Sequence, residues 1–157
     1  MNPTVLIDRA TEADLPAILA LEETGFSASS RWVAASWSPE LSGADHLVSA
    51  ARAPDGVVLG VAAFQQIAEV ADLNRVVVAA SARGQGLGRA LVAEVLAWAA
   101  ERGAERMLLE VEWANEPALA LYRGLGFVVI SHRVNYYGTN RDALVMQREL
   151  VRGEAIA

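Results

Sequence analysis

The spacing of apolar residues changes period several times along the chain, and each change marks an element. Val5-Leu6-Ile7 is a short apolar run that reads as a strand. Thr11, with Asp14 three residues on, is a helix-start signal, and Pro16 falls in the first turn, where its missing N–H is tolerated. Leu15, Ile18, Leu19 and the aliphatic part of Glu22 then share one face, which predicts a helix from about Glu12 to Thr24. A weaker helix follows over Trp32 to Ser42, with Pro39 inside it. His46 to Arg52 and Val57 to Ile67 flank Ala53-Pro54-Asp55-Gly56, a turn sequence that predicts an antiparallel hairpin, and Ala71 to Ala80 adds a further strand.

The texture changes at Arg83. A glycine-rich stretch, Arg83-Gly84-Gln85-Gly86-Leu87-Gly88-Arg89, leads into Leu87, Leu91, Val95 and Trp98 at helical spacing, and Gly103 supplies a left-handed cap. Met107 to Trp113 reads as a strand. Asn115 caps a helix from Glu116 to Leu125, which Gly126 ends. Val128 to Tyr137 and Ala143 to Leu150 bracket Gly138-Thr139-Asn140 as a closing antiparallel pair, and the tail Val151 to Ala157 is expected to fray. The order β-α-α-β-β-β-α-β-α-β-β is that of a mixed α/β (α+β) domain with one βαβ-type crossover. It is one domain over residues 1–150, with a C-terminal tail at 151–157.

Composition narrows the chemistry. At 157 residues, 54% hydrophobic and 20% charged, the chain can bury a core. Cysteine is absent, which removes disulfides, zinc-thiolate sites and thiol nucleophiles. All 13 basic residues are Arg, so a Walker-A lysine and a Schiff base are excluded as well. Two histidines make a His-rich metal site improbable, and no metal is expected. A net charge of −6 argues against nucleic-acid partners and for neutral or basic ones. Met1 to Asp8 is too short and mixed for a signal peptide, and apolar runs such as Val76 to Ala80 are far too short to span a membrane. A cytoplasmic location, without membrane association, is the default expectation.

Two places carry candidate chemistry. The Arg83 to Arg89 turn is either a tight βα connection or a phosphate cradle. In the second case glycines and a helix N-terminus would offer backbone N–H groups, with Arg on both sides. Its G-x-G-x-G spacing does not match a dinucleotide fingerprint. Glu110 sits between Leu109 and Val111, so it alternates away from them, and Glu112 falls on its side. Such an acid is either a structural partner of an Arg or lies beside a cavity. Tyr122 lies on the short helix that follows.

Arg-x-x-Gly-x-Gly before a helix, followed by Glu-Val-x-x-x-Asn-x-x-Ala-x-x-Leu-Tyr-x-x-x-Gly-Phe, resembles the GNAT superfamily of acyl-CoA N-acyltransferases, closely over Leu73 to Phe127. The closing stretch His132-Arg133-Val134-Asn135-Tyr136-Tyr137 with Arg141 to Met146 is similar to the RimI group, the ribosomal-protein-alanine N-acetyltransferases. Leu21-Glu22-x-x-x-Phe26 followed by Trp32 resembles that group too. One departure is Glu69-Val70-Ala71-Asp72, where adjacent acids are usual and Val70 displaces one.

The resemblance implies a mostly antiparallel, twisted sheet of about seven strands with four helices on its faces. It implies acetyl-CoA as co-substrate, held by the main chain of Val76, Val77 and Val78, by the turn Arg83, Gly84, Gln85, Gly86, Leu87, Gly88 and Arg89, and by Asn115 and Tyr122. Glu110 would be the general base and Tyr122 the general acid. Tyr136, Tyr137 and Glu112 are candidates for the acceptor side. The acceptor implied is the α-amino group of a protein, with a small-molecule amine as the alternative and a non-catalytic acyl-CoA-binding module as a third reading. Monomer and homodimer both remain open.

Overall fold

The computed structural model describes residues 4–156. Its elements are β1 (Leu6–Arg9), α1 (Leu15–Gly25), α2 (Ala34–Ser42), β2 (His46–Arg52), β3 (Val58–Ile67), β4 (Val70–Val78), α3 (Leu87–Glu101), β5 (Arg106–Glu112), α4 (Glu116–Gly124), β6 (Val128–Arg133) and β7 (Ala143–Glu149). The strands form a seven-stranded sheet in the order β1-β2-β3-β4-β5-β7-β6. β1–β2, β2–β3, β5–β7 and β6–β7 pair antiparallel, whereas β4 and β5 run parallel across the α3 crossover. The expected element order holds. β6, however, ends at Arg133 rather than Tyr137, and α1 is preceded by a 3-10 turn at Glu12–Asp14. Among the described residues no helix is long and apolar enough to cross a membrane.

The contacts gather into two compact units. One comprises residues up to Gln65 with Arg75–Val95, and the other Gln66–Asn74 with residues from Leu96 on. In the first, Ile18 and Leu21 of α1 and Trp37 and Leu41 of α2 pack on Val48, Val61, Ala63 and Val77 of the sheet. The Thr11 N–H donates to Asp14 Oδ2 at 2.9 Å and starts the helical region. Asp14 also accepts both Arg52 terminal nitrogens at 2.8 Å, so its carboxyl is held below the usual carboxylate range, chiefly by that guanidinium. Gly56, at φ 90°, closes the β2–β3 turn, where Asp55 Oδ1 accepts the Val57 N–H at 3.1 Å.

The apolar face of α1 carries a fully buried carboxylate, Glu22. Arg75 of β4 grips it through Nε at 3.0 Å and Nη2 at 2.7 Å. The Trp37 indole N–H and the Trp32 backbone N–H fill its remaining acceptor sites at 3.0 and 3.1 Å. Arg75 also donates to the Ser30 carbonyl at 2.8 Å and lies 3.7 Å from the centre of the Phe26 ring. One buried ion pair thus ties the α1–α2 connection to β4, and both Trp32 and Trp37 belong to it.

In the second unit, β5 and β7 pair over seven positions, Arg106–Glu112 against Glu149–Ala143. Met107, Leu109 and Val111 are buried while Glu110 is exposed, as the two-residue period requires. Asn115 Oδ1 accepts the Ala118 N–H at 3.3 Å and caps α4. Gly103 ends α3 at φ 90°. In the tail, Glu154 accepts from Arg148 at 2.7 Å.

Breaking a buried pair leaves the other charge uncompensated. Glu22→Ala is expected to cost about 3–5 kcal/mol in urea unfolding, and the double change Glu22→Leu with Arg75→Met clearly less. Asp14 has a depressed pKa in the folded state, so its contribution is present above its unfolded pKa and disappears as pH falls through the folded one. Asp14→Asn should therefore lower stability near pH 7 by about 1–2 kcal/mol and flatten the acid side of the stability curve, read by urea midpoints from pH 7 to 2.

Candidate active site

The first unit holds the glycine turn. Gly84 and Gly86 have φ of 76° and 79°, conformations that side chains rarely adopt. A Cβ at Gly84 would meet nothing within 4 Å, so a ligand can approach the backbone there. The first intrahelical bond of α3 runs from the Ala90 N–H to the Gly86 carbonyl at 3.0 Å. The N–H groups of Gly86, Leu87 and Gly88 therefore have no intrahelical acceptor. Leu87 is buried and anchors the turn, while Arg83, Gln85 and Arg89 are exposed. Arg83 Nε donates to the Val78 carbonyl at 3.3 Å and pins the turn to the end of β4.

Val77 is buried in the first core, and Val76 and Val78 are half-buried. The Ala79 N–H bonds the Leu59 carbonyl of β3 at 2.8 Å. Because strand groups alternate edges, the Val78 N–H points along the opposite edge, away from β3. A phosphate and a chain of amides both find donors among these residues, so the residues present fit the co-substrate expected from the sequence.

The second unit holds the acids and tyrosines. Glu110 and Glu112 share one face of β5, with side chains 35% and 31% exposed. Arg133 Nη1 donates to Glu110 Oε1 at 3.2 Å. The nearby Glu110 carboxylate raises the pKa of the Tyr136 hydroxyl. Arg141 forks onto Glu112 at 2.7 and 3.4 Å. Tyr136 and Tyr137 stack edge to face at 5.1 Å on the loop between β6 and β7, not on a strand as the sequence suggested. Asn135 and Asn140, both at positive φ, and Asp142, which accepts the Asn135 N–H at 2.8 Å and pairs with His132 at 2.7 Å, shape that loop.

Tyr122 packs on Phe127 at 5.8 Å. Part of the residue reaches solvent, yet burial of its hydroxyl pushes the pKa up to about 12, with a further contribution from Tyr137. Tyr137 stands at about 12 as well, raised by burial and then by Glu110. Glu110, Glu112, Tyr122, Tyr136 and Tyr137 are thus electrostatically linked within one unit. Asn115 is exposed, with its oxygen used as the α4 cap.

Two members escaped the sequence reading. Asp72 pairs in register with Leu108, which shares a face with Glu110, so the two carboxylates lie on that same face. Partial burial, then the charge of Glu110, raise the Asp72 pKa. Its signal was the displaced acid after Val70. For Glu110 an Arg partner was one of the two sequence expectations, but not that it is Arg133, because their meeting follows from the pairing of three strands.

The model of the acetyltransferase (GNAT) family matches residues 14–127. The chain belongs to that family. GNAT membership bears out the resemblance, the mixed fold and the enzyme class expected from the sequence. The chain is 31% identical over 150 residues to N-alpha-acetyltransferase RimI of Mycobacterium tuberculosis (strain ATCC 25618 / H37Rv), covering 92% of each. It is 33% identical over 153 residues to an uncharacterized protein of Mycobacterium leprae (strain TN), of which it spans only 42%. The crystal structure of the ribosomal-protein-S18-alanine N-acetyltransferase from Escherichia coli superposes with TM-score 0.86 at 28% identity, over 96% of both chains.

A tyrosine whose folded pKa lies above its unfolded value of about 10 stabilises the fold below pH 10 and loses that contribution as pH rises toward 12. Tyr122→Phe should therefore flatten the fall of stability between pH 10 and 12, measured by urea unfolding at stepped pH. An unchanged alkaline slope would contradict the buried hydroxyl.

Proposed function

We propose that this GNAT enzyme transfers an acetyl group from acetyl-CoA to the N-terminal α-amino group of a protein, such as a ribosomal protein, in the cytoplasm. The observation that carries the acceptor is the acidic face of Asp72, Glu110 and Glu112 bordered by the exposed Tyr136 and Tyr137. A cationic amine suits the carboxylates. A polypeptide suits the exposed rings, which a small closed pocket would not present. The likeness over nearly the whole length of N-alpha-acetyltransferase RimI supports the same class of acceptor.

Each set of residues has the chemistry for its role. The N–H groups of Gly86 to Gly88, with Arg83 and Arg89 beside the turn, suit a pyrophosphate. The main chain of Val76 to Val78 suits the pantetheine amides, with the Val78 N–H donating to the oxygen that gains charge, and the Asn115 amide nitrogen donates to the co-substrate. When bound, acetyl-CoA supplies the thioester carbon that forms the new C–N bond as its C–S bond breaks. Glu110 removes the proton that the acceptor's ammonium must lose. An α-amino group has an unperturbed pKa of about 7.7–8.0, so that step is small at neutral pH. Tyr122 keeps its proton throughout the neutral range and donates a hydrogen bond to the departing sulfur.

The test is acetyl transfer from acetyl-CoA to a hexapeptide with a free N-terminal alanine, read by mass. One acetyl group on the α-nitrogen is expected. Glu110→Gln should lower kcat on the order of a hundredfold or more, and Tyr122→Phe about ten- to a hundredfold. Acetylation of spermidine with none of the peptide would replace the acceptor, and full activity of both variants would overturn the residue roles.

A further inference from the structure

Glu110 already has a cation on it. The Arg133 guanidinium meets Oε1 through a single nitrogen at 3.2 Å, and the Arg133 side chain is 50% exposed. Its other contact is the face of Tyr136, 4.4 Å from the ring centre. The neighbouring pair is built differently. Arg141 reaches both oxygens of Glu112, the shorter contact at 2.7 Å, and donates to the Tyr137 carbonyl at 3.5 Å. The loop therefore has one two-pronged clasp and one single-bonded, replaceable contact.

Resting on the function proposed above, we infer that Arg133 is a built-in stand-in for the acceptor's ammonium, which must displace the guanidinium from Glu110 in order to bind. An ammonium and a guanidinium cannot share one carboxylate oxygen without like-charge repulsion. Displacement is cheap for three reasons. An exposed single-bonded pair is worth little in water. The departing guanidinium keeps its cation–π contact with Tyr136. Glu110 is itself a third exposed, so water can take up the oxygen that the guanidinium leaves. Asp72, on the same face and electrostatically coupled to Glu110, adds a second negative charge for the incoming cation. Arg133 is in this sense a specificity-determining residue: it disfavours, by the modest free energy of an exposed pair, an uncharged acceptor that cannot compete for the carboxylate.

The sign of the effect separates this role from simple support. If Arg133 competes with the acceptor, its removal tightens acceptor binding. If it only holds Glu110 in place, its removal lowers kcat. Steady-state kinetics with the alanine-first hexapeptide should show the acceptor KM falling about threefold to fivefold in Arg133→Gln, the range that an exposed pair of up to about 1 kcal/mol allows. The KM for acetyl-CoA should stay put. Arg133→Lys, which keeps the charge, should return the acceptor KM toward the wild-type value. An acceptor KM in Arg133→Gln that is unchanged or raised, or a loss confined to kcat, overturns the inference. Failure of the underlying function reads differently, because the wild-type enzyme would then leave the peptide unacetylated.

Discussion

The candidate site depends on one constraint, the two-residue period of β5. The strand can bury Met107, Leu109 and Val111 only by turning Leu108, Glu110 and Glu112 to the other face. A slip of one residue would drive two carboxylates into the core, so the seven-pair ladder with β7 locks core and acids into a single register. The same ladder fixes the loop. β7 begins at Ala143, opposite Glu112, so Arg141 and Asp142 fall just beyond the strand end and Arg141 meets Glu112. On the other side of β5, parallel pairing with β4 brings Asp72 to the same face.

The chain uses its arginines in two contrasting ways. Arg75 is spent on a buried carboxylate, and the pair is completed by two tryptophan N–H groups and a carbonyl, so both Glu22 oxygens are satisfied. That pair is architectural: it orders a helix–helix connection that the short α2, with Pro39 inside it, does little to order on its own. Arg133 makes one bond to a carboxylate that remains a third exposed. Water competes there on equal terms, and so can another cation. The same ion-pair chemistry is structural when dry and exchangeable when wet.

Most of the fold was legible because its signals are local. Asp55-Gly56, Gly103 and the Asn115 cap each act within a few residues, and alternation along β5 needs no knowledge of partners. The glycine turn was legible for the same reason. What escaped depends on residues far apart in sequence. Glu22 read as a helix residue with a useful aliphatic stem, because its partner Arg75 lies 53 positions away. Arg133 and Glu110 are 23 apart, and their meeting requires β7 to lie between β5 and β6. The end of β6 at Arg133 was missed because Val134 to Tyr137 continue a strand-like composition, while Asn135 at φ 55° breaks the extended conformation.

Tyr122 shows how the same local environment narrows a mechanism. An alkyl thiol has a pKa of about 8.5, whereas the Tyr122 hydroxyl stands at about 12. The burial that raises the Tyr122 pKa disfavours its phenolate, so in the reaction proposed above complete proton transfer from it carries a penalty. A hydrogen bond from an uncharged phenol to a developing thiolate has no such penalty, and it strengthens as charge builds on sulfur, which is when stabilisation counts. Burial, which makes Tyr122 a weak acid, also keeps its O–H intact around neutral pH, where the α-amino acceptor starts to be a free nucleophile. In the proposed reaction, a donor that keeps its proton would leave the departed thiolate to be protonated by water.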